Sequence, residues 1–106
     1  MIRHCVFINF KPTISAAYKA ELFDEIAALK SRLPGMLAVH IGVNVSPEAG
    51  MDKGFGDGFI VDFDDSFSRD AYLVDPDHKM TGSRLVAAAE GGIDGILVYD
   101  LETIDK

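Results

Sequence analysis

A single cysteine, Cys5, stands in the chain of 106 residues, so no internal disulfide can form, and its neighbours follow the pattern of an apolar strand. A reducing cytoplasm is the expected home. Basic residues are scarce as well: ten Lys and Arg stand against seventeen Asp and Glu, for a formal charge of −7 and a pI near 4.7. With no basic stripe to neutralise phosphates, nucleic acid and anionic membrane surfaces are poor partners, and a neutral or weakly polar ligand is favoured. No apolar run is long enough to cross a bilayer, and the opening Met1-Ile2-Arg3-His4-Cys5-Val6-Phe7 does not read as a signal peptide. Asn44-Val45-Ser46, without an export signal, is then a chance match to a glycosylation acceptor.

Other absences exclude particular chemistries. The three histidines and one cysteine have no zinc spacing. No elbow sequence supports a serine nucleophile. The glycine-rich run Gly50-Met51-Asp52-Lys53-Gly54-Phe55-Gly56-Asp57-Gly58 precedes a strand instead of opening a helix, and Lys-Ser/Thr does not follow its glycines. The phosphate-loop mechanism therefore fails. The run reads as a flexible hairpin connection that can serve as a lid.

What is present is a small, apolar-rich globular chain: 48% of its residues are hydrophobic, and its length predicts one domain, 1–106. Ile2 to Phe10 alternates with period two and predicts a strand with both faces partly buried. Ser15 is placed to cap a helix whose apolar stripe is Tyr18, Leu22, Ile26, Leu29 and Leu33, ended by Pro34-Gly35. Ala38 to Val45 and Phe55 to Phe63 predict two further strands. Asp65-Ser66 caps a short helix that Pro76 stops, a second runs from about Asp77 to Ala89 and is closed by Gly91-Gly92, and Ile96 to Leu101 is the last strand. The order β-α-β-β-α-β is the ferredoxin-like α+β arrangement, a four-stranded antiparallel sheet with helices on one face. Val6, Ile8, Val39, Ile41, Phe59, Val61, Ile96 and Val98 belong to the helix-facing side. Cys5, Phe7, Ile60, Leu97, Tyr99 and Leu101 belong to the other, too apolar to be left in water. A second copy of the sheet is the economical cover, so a homodimer is expected.

The stretch Tyr72-Leu73-Val74-Asp75-Pro76-Asp77-His78 is the chemical candidate. Pro76 has no N–H and disfavours α geometry at Asp75, so one helix ends there and the next begins near His78. Such a corner can aim a phenol and an imidazole at one point. One reading makes His78 a general base that removes a proton α to a carbonyl, with Tyr72 orienting it or stabilising the enolate oxygen; groups of this type contribute about 10²–10⁴-fold to rate. The other makes His78 a cap of the second helix and Tyr72 a core residue with its hydroxyl at the surface. His4, on the helix-facing side of the first strand, is either a satisfied core histidine or a pocket residue. Asp57 shares that face by parity, but antiparallel strands start at opposite ends, so no His4–Asp57 contact is expected. Asp62, Asp64, Asp65, Asp75 and Asp77 match no cation loop in sequence; no metal is expected, and acidic residues before helix starts complement the helix dipole in any case.

Ile2-Arg3-His4, Asn9-Phe10-Lys11, Leu33-Pro34-Gly35-Met36, Gly42-Val43-Asn44 and the Tyr72…Pro76-Asp77-His78 corner, in this order and spacing, resemble the stress-responsive A/B-barrel (Dabb) domain family of dimeric α/β barrels. The resemblance covers nearly the whole chain. It implies three possibilities. One plant branch comprises polyketide (olivetolic acid) cyclases, which close a linear tetraketide by aldol condensation without a cofactor. Their tyrosine and histidine matching Tyr72 and His78 move the protons, in a pocket between sheet and helices. Another branch is associated with stress tolerance and assembly, and some members hold magnesium. Most have no assigned activity. Departures from the cyclases are Ile26 for a pocket tyrosine, Asp57 for a histidine, and Lys79-Met80-Thr81 for an apolar, glycine-containing run. A differently shaped and more charged pocket and a different substrate are therefore expected.

The expectation is a cofactor-free enzyme of cyclase, lyase or isomerase type, acting on a small hydrophobic carbonyl compound. Its catalytic residues are His78 and Tyr72, and its substrate contacts are His4, Val6, Ile8, Leu22, Phe23, Ile26, Asp57 and Phe59. The alternative is a non-catalytic, stress-associated binding or assembly protein with a vestigial pocket. A cofactor-free monooxygenase of the related dimeric-barrel type is disfavoured by the absence of tryptophan.

Overall fold

The computed structural model describes all 106 residues. Four strands, β1 (Ile2–Ile8), β2 (Met36–Val43), β3 (Asp57–Phe63) and β4 (Ile96–Glu102), form one antiparallel sheet in the order β2-β3-β1-β4. Three helices, α1 (Ala16–Ala28), α2 (Ser66–Val74) and α3 (Pro76–Ala88), complete the chain. The architecture is the ferredoxin-like one. Period-two alternation sends Val6, Ile8, Phe59 and Val61 into a core shared with Leu22, Phe23 and Ile26 of α1 and Leu85 of α3.

Local chemistry sets the element ends. Ser15 Oγ accepts the Tyr18 N–H at 3.1 Å and starts α1. The stripe continues to Leu33, but the α-helix stops at Ala28 and tightens into a 3₁₀ turn over Leu29–Ser31, where the Arg32 and Leu33 N–H groups both donate to the Leu29 carbonyl. Strand β1 ends two residues before Phe10. The Asn9 N–H donates to Gly95 and the Lys11 N–H to Ala88, which draws the chain off the sheet toward the end of α3. Strand β2 starts earlier than Ala38, with an irregularity between Met36 and Ala38, and ends at Val43, where the Asn44 side chain accepts from Ser46 and donates to Asp52. Strand β3 begins at Asp57, not Phe55. Helix α3 closes at Ala89 in extended conformation, and Gly91, in the left-handed region at φ 73°, opens a 3₁₀ turn over Gly92–Gly95 instead of ending the helix itself.

Gly35 (φ 82°) marks a close approach. A Cβ there would overlap Ser68 Oγ, which donates to Asp64 at 2.7 Å, while the Asp64 N–H donates to the Gly35 carbonyl at 3.0 Å. The turn after α1 is thereby stitched to the start of α2, the helix that carries Tyr72.

The face of the sheet away from the helices carries Cys5, Phe7, Ile60, Leu97, Tyr99 and Leu101, with Arg3, Asp62 and His40 at one end. Leu97, Tyr99 and Leu101 are 44%, 43% and 48% exposed, so a contiguous apolar surface faces outward.

Candidate active site

The corner between α2 and α3 forms as the proline demands, with an unanticipated anchor. Asp75 is extended (φ −63°, ψ 131°) and its carboxylate accepts the Asp77 and His78 N–H groups, each at 3.1 Å, so Asp75 and not His78 caps α3. The same carboxylate takes a bidentate pair of bonds from Arg32, both at 2.8 Å. The Arg32 guanidinium, burial notwithstanding, holds the Asp75 pKa down to about 2.

The turn brings the two rings together: the Tyr72 and His78 centroids lie 4.0 Å apart at 42°. Tyr72 is fully buried, packed also on Phe63 at 5.1 Å. Its hydroxyl has no hydrogen-bond partner and neither has His78 Nδ1, though both atoms are buried. A core tyrosine with its hydroxyl at the surface is therefore not what the fold contains. Buried polar groups are nearly always paired, and each one left without a partner costs about 1–3 kcal/mol. Burial pushes the Tyr72 phenol above its ordinary pKa, so it stays protonated. Burial is also the main influence lowering the His78 pKa. Repulsion from His4 and Lys79 adds to it, and the Leu73 backbone and Asp75 pull the other way. At neutral pH the arrangement is a neutral imidazole, able to accept a proton, against a phenol able to donate one.

His4 joins them from β1. Its ring meets Tyr72 edge to face at 5.6 Å and Phe63 at 6.3 Å. Its Nδ1 lies 2.6 Å from Asp100 Oδ1 on β4, and Asp100 Oδ2 accepts from Arg69 of α2 at 2.7 Å. Burial disfavours the charged Asp100 carboxylate, but the bonds from Arg69 and His4 outweigh it and hold its pKa below the ordinary value. Asp100 and Arg69 were not singled out from the sequence; the signal was there in the parity of β4, but it needed the register that sets Asp100 opposite His4.

The remaining expected contacts are distributed differently. Val6, Ile8, Leu22, Phe23, Ile26 and Phe59 are buried in the core. Asp57 lies opposite Ile8, at the far end of β1 from His4, and pairs with Lys19 at 3.2 Å. The expected hollow beneath the helices is not one of the two principal cavities. One of these, of about 530 Å³, lies between the β2–β3 hairpin and the loop that follows β2, and is lined by Phe7, Met51, Phe55 and Leu97 together with Asp57 and Phe59. The other is an open groove along the exposed side of α1. Neither touches Tyr72 or His78. The five aspartates weighed for a cation are committed elsewhere: Asp62 to Arg3 and His40, Asp64 to Ser68, Asp65 to the start of α2, and Asp75 and Asp77 to Arg32. No three acidic, histidine or cysteine side chains converge on one point.

The sequence model of the Stress responsive A/B Barrel Domain matches residues 2–103. No functionally curated protein is similar enough to this chain to count as a relative by sequence. Among solved structures, a dimeric ferredoxin-like protein of unknown function from Jannaschia sp. CCS1 is 33% identical with a TM-score of 0.86, over 96% of this chain and 98% of that one. A protein from Arabidopsis thaliana is 24% identical, TM-score 0.86, over 100% and 98%. A hydroxynitrile lyase from Passiflora edulis is 19% identical, TM-score 0.80, over 98% and 96%. At those last two identities the likeness is one of fold.

Proposed function

Because the chain belongs to the stress-responsive A/B-barrel (Dabb) domain family, we propose that it works as a cofactor-free homodimeric protein of the cytoplasm whose Tyr72–His78 pair moves protons on a small hydrophobic carbonyl compound. The observation that carries this reading is the contact of two buried, partnerless polar groups at 4.0 Å between ring centroids. A fold that needed only a packed core would place phenylalanine and leucine there at no desolvation cost. His78 takes the proton from the carbon next to the carbonyl, leaving the electron pair as an enolate. The Tyr72 hydroxyl donates its hydrogen bond to the enolate oxygen. Returning the proton to another atom gives isomerisation, and attack of the enolate carbon on a second carbonyl gives aldol closure. His78 is only partly buried, so the side of the pair that it occupies is the way in. The likeness to a hydroxynitrile lyase supports the reading only in that this fold can carry enzyme chemistry.

The test is exchange of α-protons of small aromatic ketones and β-diketones in deuterated water, followed by NMR. The wild-type protein accelerates exchange; His78→Ala and Tyr72→Phe remove the acceleration, the first with the melting temperature kept within a few degrees and the second without lowering it. Exchange at the uncatalysed rate with wild type, or undiminished exchange with His78→Ala, refutes the reading.

A second reading, a stress-associated binding or assembly protein, is favoured by a separate observation. Val6, Ile8, Leu22, Phe23 and Ile26 are buried against one another, and neither principal cavity reaches the pair. It predicts no α-proton exchange with any carbonyl compound, together with a stable dimer.

A further inference from the structure

Tyr72 touches two imidazoles, and the proton transfer proposed above uses only His78. On its other side His4 is 4% exposed and ends a chain of charge-assisted bonds running from α2 through β4 to β1: Arg69 to Asp100 at 2.7 Å, Asp100 to His4 Nδ1 at 2.6 Å, His4 to the Tyr72 ring at 5.6 Å. A carboxylate accepts hydrogen bonds and cannot donate them, so Nδ1 of His4 carries the proton and the tautomer is fixed. Arg69 occupies the second oxygen of Asp100 and prevents the carboxylate from turning away. This is the arrangement by which a carboxylate orients a histidine at reactive sites, where loss of the outer partner degrades the ring's function without removing the ring.

Resting on the proton-transfer reading, we propose that Asp100, gripped by Arg69, is a positioning residue of this site: it holds the Nδ1–H of His4, and through His4 it sets the charge felt by His78. The groups that face His78 are His4 from β1, Tyr72 from α2, Asp75 at the corner and Lys79 on its own helix; those that face His4 are Asp100 from β4, itself bonded to Arg69, and Tyr72 from α2. The coulombic influence of His4 opposes protonation of His78, in the same direction as burial. The two imidazoles are thereby driven apart in role. His78 stays a neutral base, and His4 is held as the ring whose Nδ1–H is committed to Asp100 while its edge packs against Tyr72.

The experiment is NMR of the intact protein, labelled with nitrogen-15 in histidine, and needs no substrate. In the wild type, the His4 Nδ1–H gives a downfield proton resonance protected from exchange with water. Asp100→Asn abolishes that resonance and moves the His78 titration midpoint upward. His4→Gln moves the His78 midpoint upward too, and Arg69→Gln leaves the resonance present but faster to exchange. If Asp100→Asn fails to fold, Arg69→Gln and His4→Gln carry the test between them. A His78 midpoint unmoved by His4→Gln, or a resonance that survives in Asp100→Asn, overturns the proposal. A role for Asp100 in stability alone would lower the melting temperature and leave the His78 midpoint where it was. Since titration and turnover are read separately, a protein without α-proton exchange but with the coupled midpoints loses the proposed function and keeps this inference. One with exchange and uncoupled midpoints does the reverse.

Discussion

At the scale of single residues, the Tyr72 hydroxyl works against folding. It is buried without a partner, so Tyr72→Phe removes a desolvation cost of about 1–3 kcal/mol while keeping the ring's packing on Phe63 and His78. The melting temperature should rise, by roughly 4–8 °C per kcal/mol for a domain of this size, as α-proton exchange disappears. A fall in melting temperature, read by calorimetry, would mean that the hydroxyl is satisfied in solution. His78 gives a pH dependence whose sign follows from its lowered pKa. Below about pH 6.5 the unfolded imidazole binds a proton that the folded one resists, so stability falls as the solution is acidified through this range. Denaturant melts from pH 8 to 5 should show the decline, and His78→Gln should flatten it. Tyr72 and His78 were legible in the sequence because Pro76 dictates the corner locally. Asp100 was not, since its partnership with His4 joins residues 96 positions apart and exists only once β1 and β4 are in register.

At the scale of elements, one carboxylate does two jobs. Asp75 caps α3 and receives both arms of Arg32, so it ties the corner that holds His78 to the turn after α1. Its depressed pKa gives stability that is fully present above about pH 4 and lost as the pH falls toward 2. Asp75→Ala should cost about 1–2 kcal/mol for the cap alone, and hydrogen exchange should locate the loss in the first turn of α3 rather than across the sheet. Gly35→Ala should be worse than an ordinary loop substitution. It places a side chain at φ 82° and against Ser68 Oγ, and both effects loosen the start of α2. The element order and the caps at Ser15 and Asp65 could be read directly, because each rests on neighbours within one or two turns; the helix-facing pattern was legible only for the central strands, since Ile41 and Val98 on the edge strands are 46% and 53% exposed. Strand ends could not. The early end of β1 is set by bonds from Asn9 and Lys11 to Gly95 and Ala88, groups that sequence periodicity does not see.

At the scale of the whole molecule, the helices cover one side of the sheet and leave Phe7, Leu97, Tyr99 and Leu101 outward, and a similar protein from Jannaschia is dimeric. Wild type should scatter light as a dimer at micromolar concentration, and Leu97→Glu, which puts a charge in the middle of that apolar face, should shift it to monomer without unfolding it. Arg3, Asp62 and His40 sit at one end of the same face, Asp62 accepting from Arg3 at 2.8 Å and bonded to His40 at 3.0 Å, which leaves the centre uncharged. That centre is level for a specific reason. Phe7 reclines across Gly58, where a Cβ would stand 2.7 Å from its Cδ1. No lineage can enlarge residue 58 and keep the ring lying down, so among descendants of a common ancestor these two positions should drift as a linked pair. A bulkier 58 accompanied by an unaltered aromatic 7 would mark a branch in which the ring has left that position.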